Sequence, residues 1–128
     1  MPEETKPRKK VMVIDDEPAV VDQISLLLSE SDFRPICVTS ALEAMSLLSS
    51  EQPDLVVLDI RMPRLDGFEF LRSLRQSLRT KNLPVIIVSA LSDGECRLRA
   101  KEMGVVRYLV KPYKPDELVQ LIRSLVGE

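Results

Sequence analysis

Asp15 and Asp16 are adjacent carboxylates that follow the apolar run Val11 to Ile14, and Asp59 follows a second such run, Leu55 to Leu58. Ser89 follows a third, Val85 to Val88, and Lys111 follows a fourth, Tyr108 to Val110. Three carboxylates, a hydroxyl and an ammonium therefore stand at the ends of four short apolar segments. In a parallel sheet all strand C-termini share one edge, where ligand crevices form. Acids gathered at that edge repel one another unless a cation sits among them. The set therefore reads as a cation-dependent site.

The elements that must position these residues follow from pattern. Helix one follows Pro18 and carries Val20, Val21, Ile24, Leu27 and Leu28 on one face. A short strand, Ile36 to Val38, has Pro35 at its entrance, which suits a sheet edge. Thr39 or Ser40 caps helix two, whose inner face reads as Ala41, Met45 and Leu48. The run Leu55 to Leu58 is apolar throughout, as expected of a strand covered on both faces. Helix three starts near Gly67 and buries Phe70, Leu71 and Leu74. Helix four runs from about Asp93 to Met103 and stops at Gly104. Helix five follows Pro115 and buries Leu118, Leu121, Ile122 and Leu125. Five strand–helix pairs imply an α/β fold, a five-stranded parallel sheet with helices on both faces. The flavodoxin-like order 2-1-3-4-5 puts its switch point between the strands ending at Asp15–Asp16 and at Asp59.

Composition bounds the reading. The chain has 128 residues, enough for one domain with a core of its own. Met1 to Lys9 is polar and charged and is expected to be a disordered tail, with the domain spanning residues 10–127. A net charge of −2, with no continuous basic stripe, argues against direct nucleic-acid binding. With no apolar leader and no run approaching a membrane span, the chain is expected to be soluble and cytoplasmic. Cys37 and Cys96 are expected to be buried small apolar groups rather than a disulfide. The absence of histidine excludes any His base or His metal ligand. The sequence stops at Glu128, just past helix five, so no output domain is expected within it.

Over Lys10 to Val126 the chain resembles the receiver domains of two-component response regulators. The marks are Asp15-Asp16, Asp59, Met62-Pro63, Asp66-Gly67, Ser89-Ala90, Tyr108 and Lys111-Pro112, all in order. The resemblance implies that Asp59 accepts a phosphoryl group from a phosphohistidine on a sensor kinase or phosphotransfer domain. An anionic phosphoryl group beside three acids calls for Mg2+, which takes a few carboxylates, phosphate oxygens and water. Family analogy has Asp16 coordinating directly, Asp15 acting through water, Asp59 completing the set and the Arg61 main-chain carbonyl adding a ligand. Lys111 and Ser89 then serve the phosphoryl oxygens, one with charge and one with a hydroxyl. Such a domain is a phosphorylation-switched signalling unit rather than an enzyme. A stand-alone regulator, a relay intermediate, a scaffold and a receiver within a larger protein all stay open.

The same resemblance implies a cis Lys111–Pro112 bond and a switch. Phosphorylation draws Ser89 inward, Tyr108 follows, and the surface of helix four, the last strand and helix five changes for a downstream partner or output domain. Leu26, opposite the buried face of helix one, lies where relatives dock the phosphodonor. Leu98, between Arg97 and Arg99, lies outward on the output face. Several positions depart from the family pattern. Val106 and Arg107 stand where many DNA-binding relatives carry acids, so their charged dimer pairing is not expected. Leu42 replaces a common glycine, and Ser89 a commoner threonine. Arg61 and Leu91 occupy positions that tune dephosphorylation in relatives.

Rival readings meet specific objections. An Asp-Asp pair alone is commonly a turn or helix cap; its company at matching strand ends favours chemistry. A haloacid-dehalogenase-type phosphatase needs a second acid two residues after its nucleophile, where this chain has Arg61. A nucleotide or flavin domain needs a glycine-rich loop after the first strand, where Asp15-Asp16-Glu17-Pro18 would repel phosphate.

Overall fold

The alternating segments fold as five long parallel strands flanked by five helices. The computed structural model describes residues 7–62, 65–90, 94–105 and 107–127, with the backbone alone at 61, 62, 65 and 66. The strands are β1 (Lys10–Ile14), β2 (Arg34–Val38), β3 (Leu55–Asp59), the short β4 (Arg61–Met62) and β5 (Leu65–Asp66), β6 (Val85–Ala90) and β7 (Arg107–Lys111). The helices are α1 (Pro18–Glu30), α2 (Ala41–Glu51), α3 (Gly67–Gln76), α4 (Gly94–Glu102) and α5 (Pro115–Val126). The sheet order is β2-β1-β3-β6-β7, all parallel. Counting only the long strands, this is the expected 2-1-3-4-5. The antiparallel β4–β5 hairpin was not expected, because two-residue strands are too short to show periodicity.

Side-chain alternation divides the sheet into two packed faces. Met12, Ile14, Val56, Leu58, Val85 and Ile87 face one core, closed by α2, α3 and α4 through Ala41, Ala44, Phe70, Leu71 and Ala100. Val11, Val13, Leu55, Val57, Ile86, Val88 and Leu109 face the other, closed by α1 and α5 through Ile24, Leu28, Leu118 and Ile122.

Local chemistry fixes the element ends. Pro18 opens α1, where its missing N–H costs nothing. Ser40 caps α2 by accepting from the Glu43 N–H at 3.1 Å. At the start of α5, the Glu117 carboxylate accepts from the Lys114 N–H at 2.8 Å. Gly104 follows α4 at φ 88°, a conformation that costs glycine little. At Gly67 a Cβ would lie 3.1 Å from the Ile60 carbonyl oxygen, so the step from the hairpin into α3 needs a residue without one.

Three expectations are corrected. Met45 is 43% exposed; α2 instead packs through the small residues Ala41 and Ala44, with Leu48 partly buried, which rotates Met45 outward. Cys37 is exposed rather than buried, because Ile36 and Val38 take the covered face of an edge strand and Cys37 takes the other. Cys96 is partly buried, and both thiols are free. Beside the start of β1, the Lys9 carbonyl accepts from the Arg34 N–H at 2.9 Å. Met1 to Lys6, Pro63, Leu91, Asp93 and Val106 lie outside the described residues. Among those described, no helix is long and apolar enough to cross a membrane.

Candidate functional site

Strand register brings the chemical residues to one edge. Ile14 pairs with Leu58 and Asp59 with Val88, while Ser89 and Ala90 pair with Val110 and Lys111. Asp15, Asp59 and Lys111 continue the alternation of Val13, Val57 and Leu109, and so share one face of the sheet. Ser89 continues that of Val85 and Ile87 on the opposite face. Asp15, Asp59 and Ser89 are all buried, unlike most polar residues at strand ends.

Asp15 is held on two sides. Its N–H donates to the Val38 carbonyl at 3.2 Å, and its Oδ1 accepts from the Glu17 N–H at 3.0 Å, which turns the chain toward α1. Burial pushes its pKa up to about 6; the Glu17 N–H opposes that rise and the Asp59 carboxylate, also hydrogen-bonded to it, adds to it. Lys111 Nζ lies 3.6 Å from Asp59 Oδ2. The Tyr113 phenol is pushed up by burial and by the nearby Asp15 charge. The Lys111–Pro112 bond is cis.

The carboxylate oxygens of Asp15, Asp16 and Glu17 lie within 4.8 Å of one another. Asp59 joins this group through Asp15. Glu17 was not singled out from the sequence, although its place beside the acid pair was a signal. The donor set fits a hard divalent cation: it is all oxygen, and it holds a carboxyl whose ionisation a cation would favour. The Arg61 backbone lies in β4, directly after the site strand.

On the other face, Ser89 Oγ accepts from Arg97 Nη1 at 3.3 Å. Tyr108 is half-buried against the α2–α3–α4 core, and its hydroxyl donates to the Val105 carbonyl at 2.8 Å. Burial pushes its pKa up, and the Arg97 charge pulls it down. Leu26 on α1 and Leu98 on α4 are each 63% exposed. Arg97 carried no sequence signal, because its role depends on where α4 packs.

A family model described as "Response regulator receiver domain" matches residues 11–123. The response regulator Rre1 of Synechocystis sp. is 36% identical over 118 residues, covering 91% of this chain and 51% of that protein. The receiver domain of Francisella response regulator 1452 is 32% identical with a TM-score of 0.83, covering 94% of this chain and 98% of that one. The receiver domain of Pseudomonas aeruginosa sensor histidine kinase PA1611 shares the fold at TM-score 0.84 and 24% identity, covering 94% of this chain and 99% of that one, and holds a magnesium ion in its active-site cleft. The chain spans about half the length of the curated relatives it matches.

Proposed function

The chain belongs to the response regulator receiver family, a signalling domain of two-component systems, and we propose that Asp59 is its phosphoacceptor. The observation that carries this reading is the buried Asp59 carboxylate with Lys111 Nζ at 3.6 Å and a second buried carboxyl, Asp15, beside it. A structural ion pair would not need the second acid, and two acids side by side raise the free energy of the empty site.

In the step itself, an Asp59 oxygen attacks the phosphorus of a phosphohistidine on a sensor kinase or phosphotransfer domain. The P–N bond breaks, its electron pair leaves with the imidazole nitrogen, and an acyl phosphate forms. Lys111 pairs with Asp59 beforehand and with the phosphoryl oxygens afterwards, and Ser89 donates its hydroxyl proton to them. Asp15, Asp16 and Asp59, with the Arg61 carbonyl, would hold Mg2+, and Glu17 stands close enough to contribute. Bound there, Mg2+ supplies the positive charge that lets an anionic phosphoryl group approach the acids.

Ser89 and Tyr108 are the switch pair, and the α4–β7–α5 surface is what a downstream partner or output domain reads. In this reading the domain works in the cytoplasm, with Leu26 toward the phosphodonor and Leu98 toward the output side. Exposure of both leucines supports that assignment. The decisive experiment is incubation with Mg2+ and a small phosphodonor, followed by intact-mass measurement. One phosphoryl group should be added, and Asp59→Asn should prevent it. Modification that persists in Asp59→Asn would refute the assignment. Onward transfer to a phosphotransfer domain would mark a relay intermediate instead of a terminal regulator.

A further inference from the structure

Arg97 projects from α4 to the end of β6, where Nη1 donates both to Ser89 Oγ at 3.3 Å and to the Ala90 carbonyl at 2.7 Å. Its charge also reaches the Tyr108 phenol. One guanidinium therefore holds the corner at which β6 meets the site, and its charge is felt at the aromatic side chain on β7. Alternation explains the meeting: Ser89 and Tyr108 both belong to the face that α4 covers, whereas Asp15, Asp59 and Lys111 belong to the other.

We propose that Arg97 is a positioning residue that holds the Ser89–Ala90 corner toward α4 before phosphorylation, so that a phosphoryl group on Asp59 must draw Ser89 against this tether. The inference rests on Asp59 being the phosphoacceptor. A hydroxyl offers one proton and two lone pairs. Arg97 occupies a lone pair and leaves the proton available, so Ser89 is held without losing its ability to donate. The shorter bond goes to a backbone carbonyl, so the tether acts on the chain as well as on the hydroxyl. Movement of Ser89 toward the acids stretches both bonds or pulls α4 along. Arg97 thereby restrains the unmodified domain and couples the site to helix α4.

The test measures initial phosphorylation rates of the full chain with Mg2+ and acetyl phosphate. Arg97→Ala should react about fivefold faster, which corresponds to the ~1 kcal/mol net worth of one hydrogen bond. Arg97→Lys, which keeps the charge but not the guanidinium that bonds two acceptors, should react at a rate between wild type and Arg97→Ala. In a Ser89→Ala background the gain from Arg97→Ala should shrink below about twofold, because the hydroxyl it restrained is gone. Tyrosine ionisation followed by ultraviolet absorbance should move to higher pH in Arg97→Ala. An Arg97→Ala rate equal to or below wild type, or an undiminished gain without Ser89, would overturn the tether. Loss of thermal stability with no change in rate would overturn it too. Those results leave the phosphoacceptor assignment standing, whereas failure of wild-type Asp59 to take up phosphoryl would remove both.

Discussion

Lys111 Nζ reaches within 3.6 Å of Asp59 Oδ2 across the intervening strand β6, although β7 and β3 are not neighbours in the sheet. The pairing is possible because both residues are the last of their strands, at the carboxyl edge, and share one face of the sheet. Asp59 is nearly enclosed while the Lys111 side chain is 38% exposed, so the ammonium approaches the acid from the solvent side. In the proposed transfer, that is the side from which the phosphoryl group comes.

Lys111→Ala should therefore slow phosphoryl uptake from a small phosphodonor by on the order of 100-fold, the usual effect of removing one charge-stabilising group. Initial rates measured by intact mass check this. A loss under about threefold would mean that Lys111 serves the fold and not the transfer.

Asp15 sets a pH dependence. Its pKa is about 6 in the fold against 3.8 in the unfolded chain, so between those values the folded state binds more protons. Metal-free stability should therefore fall as pH rises through that window, by up to about 3 kcal/mol. Thermal midpoints in chelator between pH 3.5 and 7 should show the fall, and Asp15→Asn should flatten it. Mg2+ affinity should run the other way, gaining about tenfold from pH 5 to 7 as the carboxylate ionises.

Gly67→Ala places a methyl group 3.1 Å from the Ile60 carbonyl oxygen and 3.3 Å from the Ile60 Cα. Backbone atoms yield less easily than a side-chain tip, so a loss of about 1–3 kcal/mol is expected in urea unfolding. Ile60 directly follows Asp59, so phosphoryl uptake should fall with it. Wild-type stability would show that the hairpin and α3 shift apart freely.

Tyr108→Ala should keep Asp59 phosphorylation while weakening binding of the phosphorylated form to its downstream partner. The side chain packs against the α4 side and bonds the Val105 carbonyl, but touches none of the acids through a hydrogen bond. Equal loss of both activities would count against a separate switch role.

Leu26→Asp should slow transfer from a sensor kinase by tenfold or more and spare a small phosphodonor, since Leu26 is exposed and belongs to no part of the acid cluster. Unchanged transfer would move the docking surface off this part of α1.

Much of this molecule was legible in its residues. Apolar runs ending in Asp, Ser or Lys named the strands and a candidate site together, because a parallel sheet sends its carboxyl ends to one edge. The helices showed through their spacing, with Pro18, Ser40, Gly104 and Pro115 marking ends. Reading by type failed where neighbours decide burial. Met45 and Cys37 are apolar or thiol side chains turned outward by a close-packed helix and an uncovered edge.

Local pattern alone determined which residues could react, since chemistry resides in side-chain type and strand ends are local events. Tertiary packing decided who meets whom. Only the sheet's two faces separate Asp15, Asp59 and Lys111 from Ser89 and Tyr108. Only the seat of α4 brings Arg97 to the Ser89 hydroxyl, because a contact between separate elements depends on the position of both backbones and no sequence spacing records it.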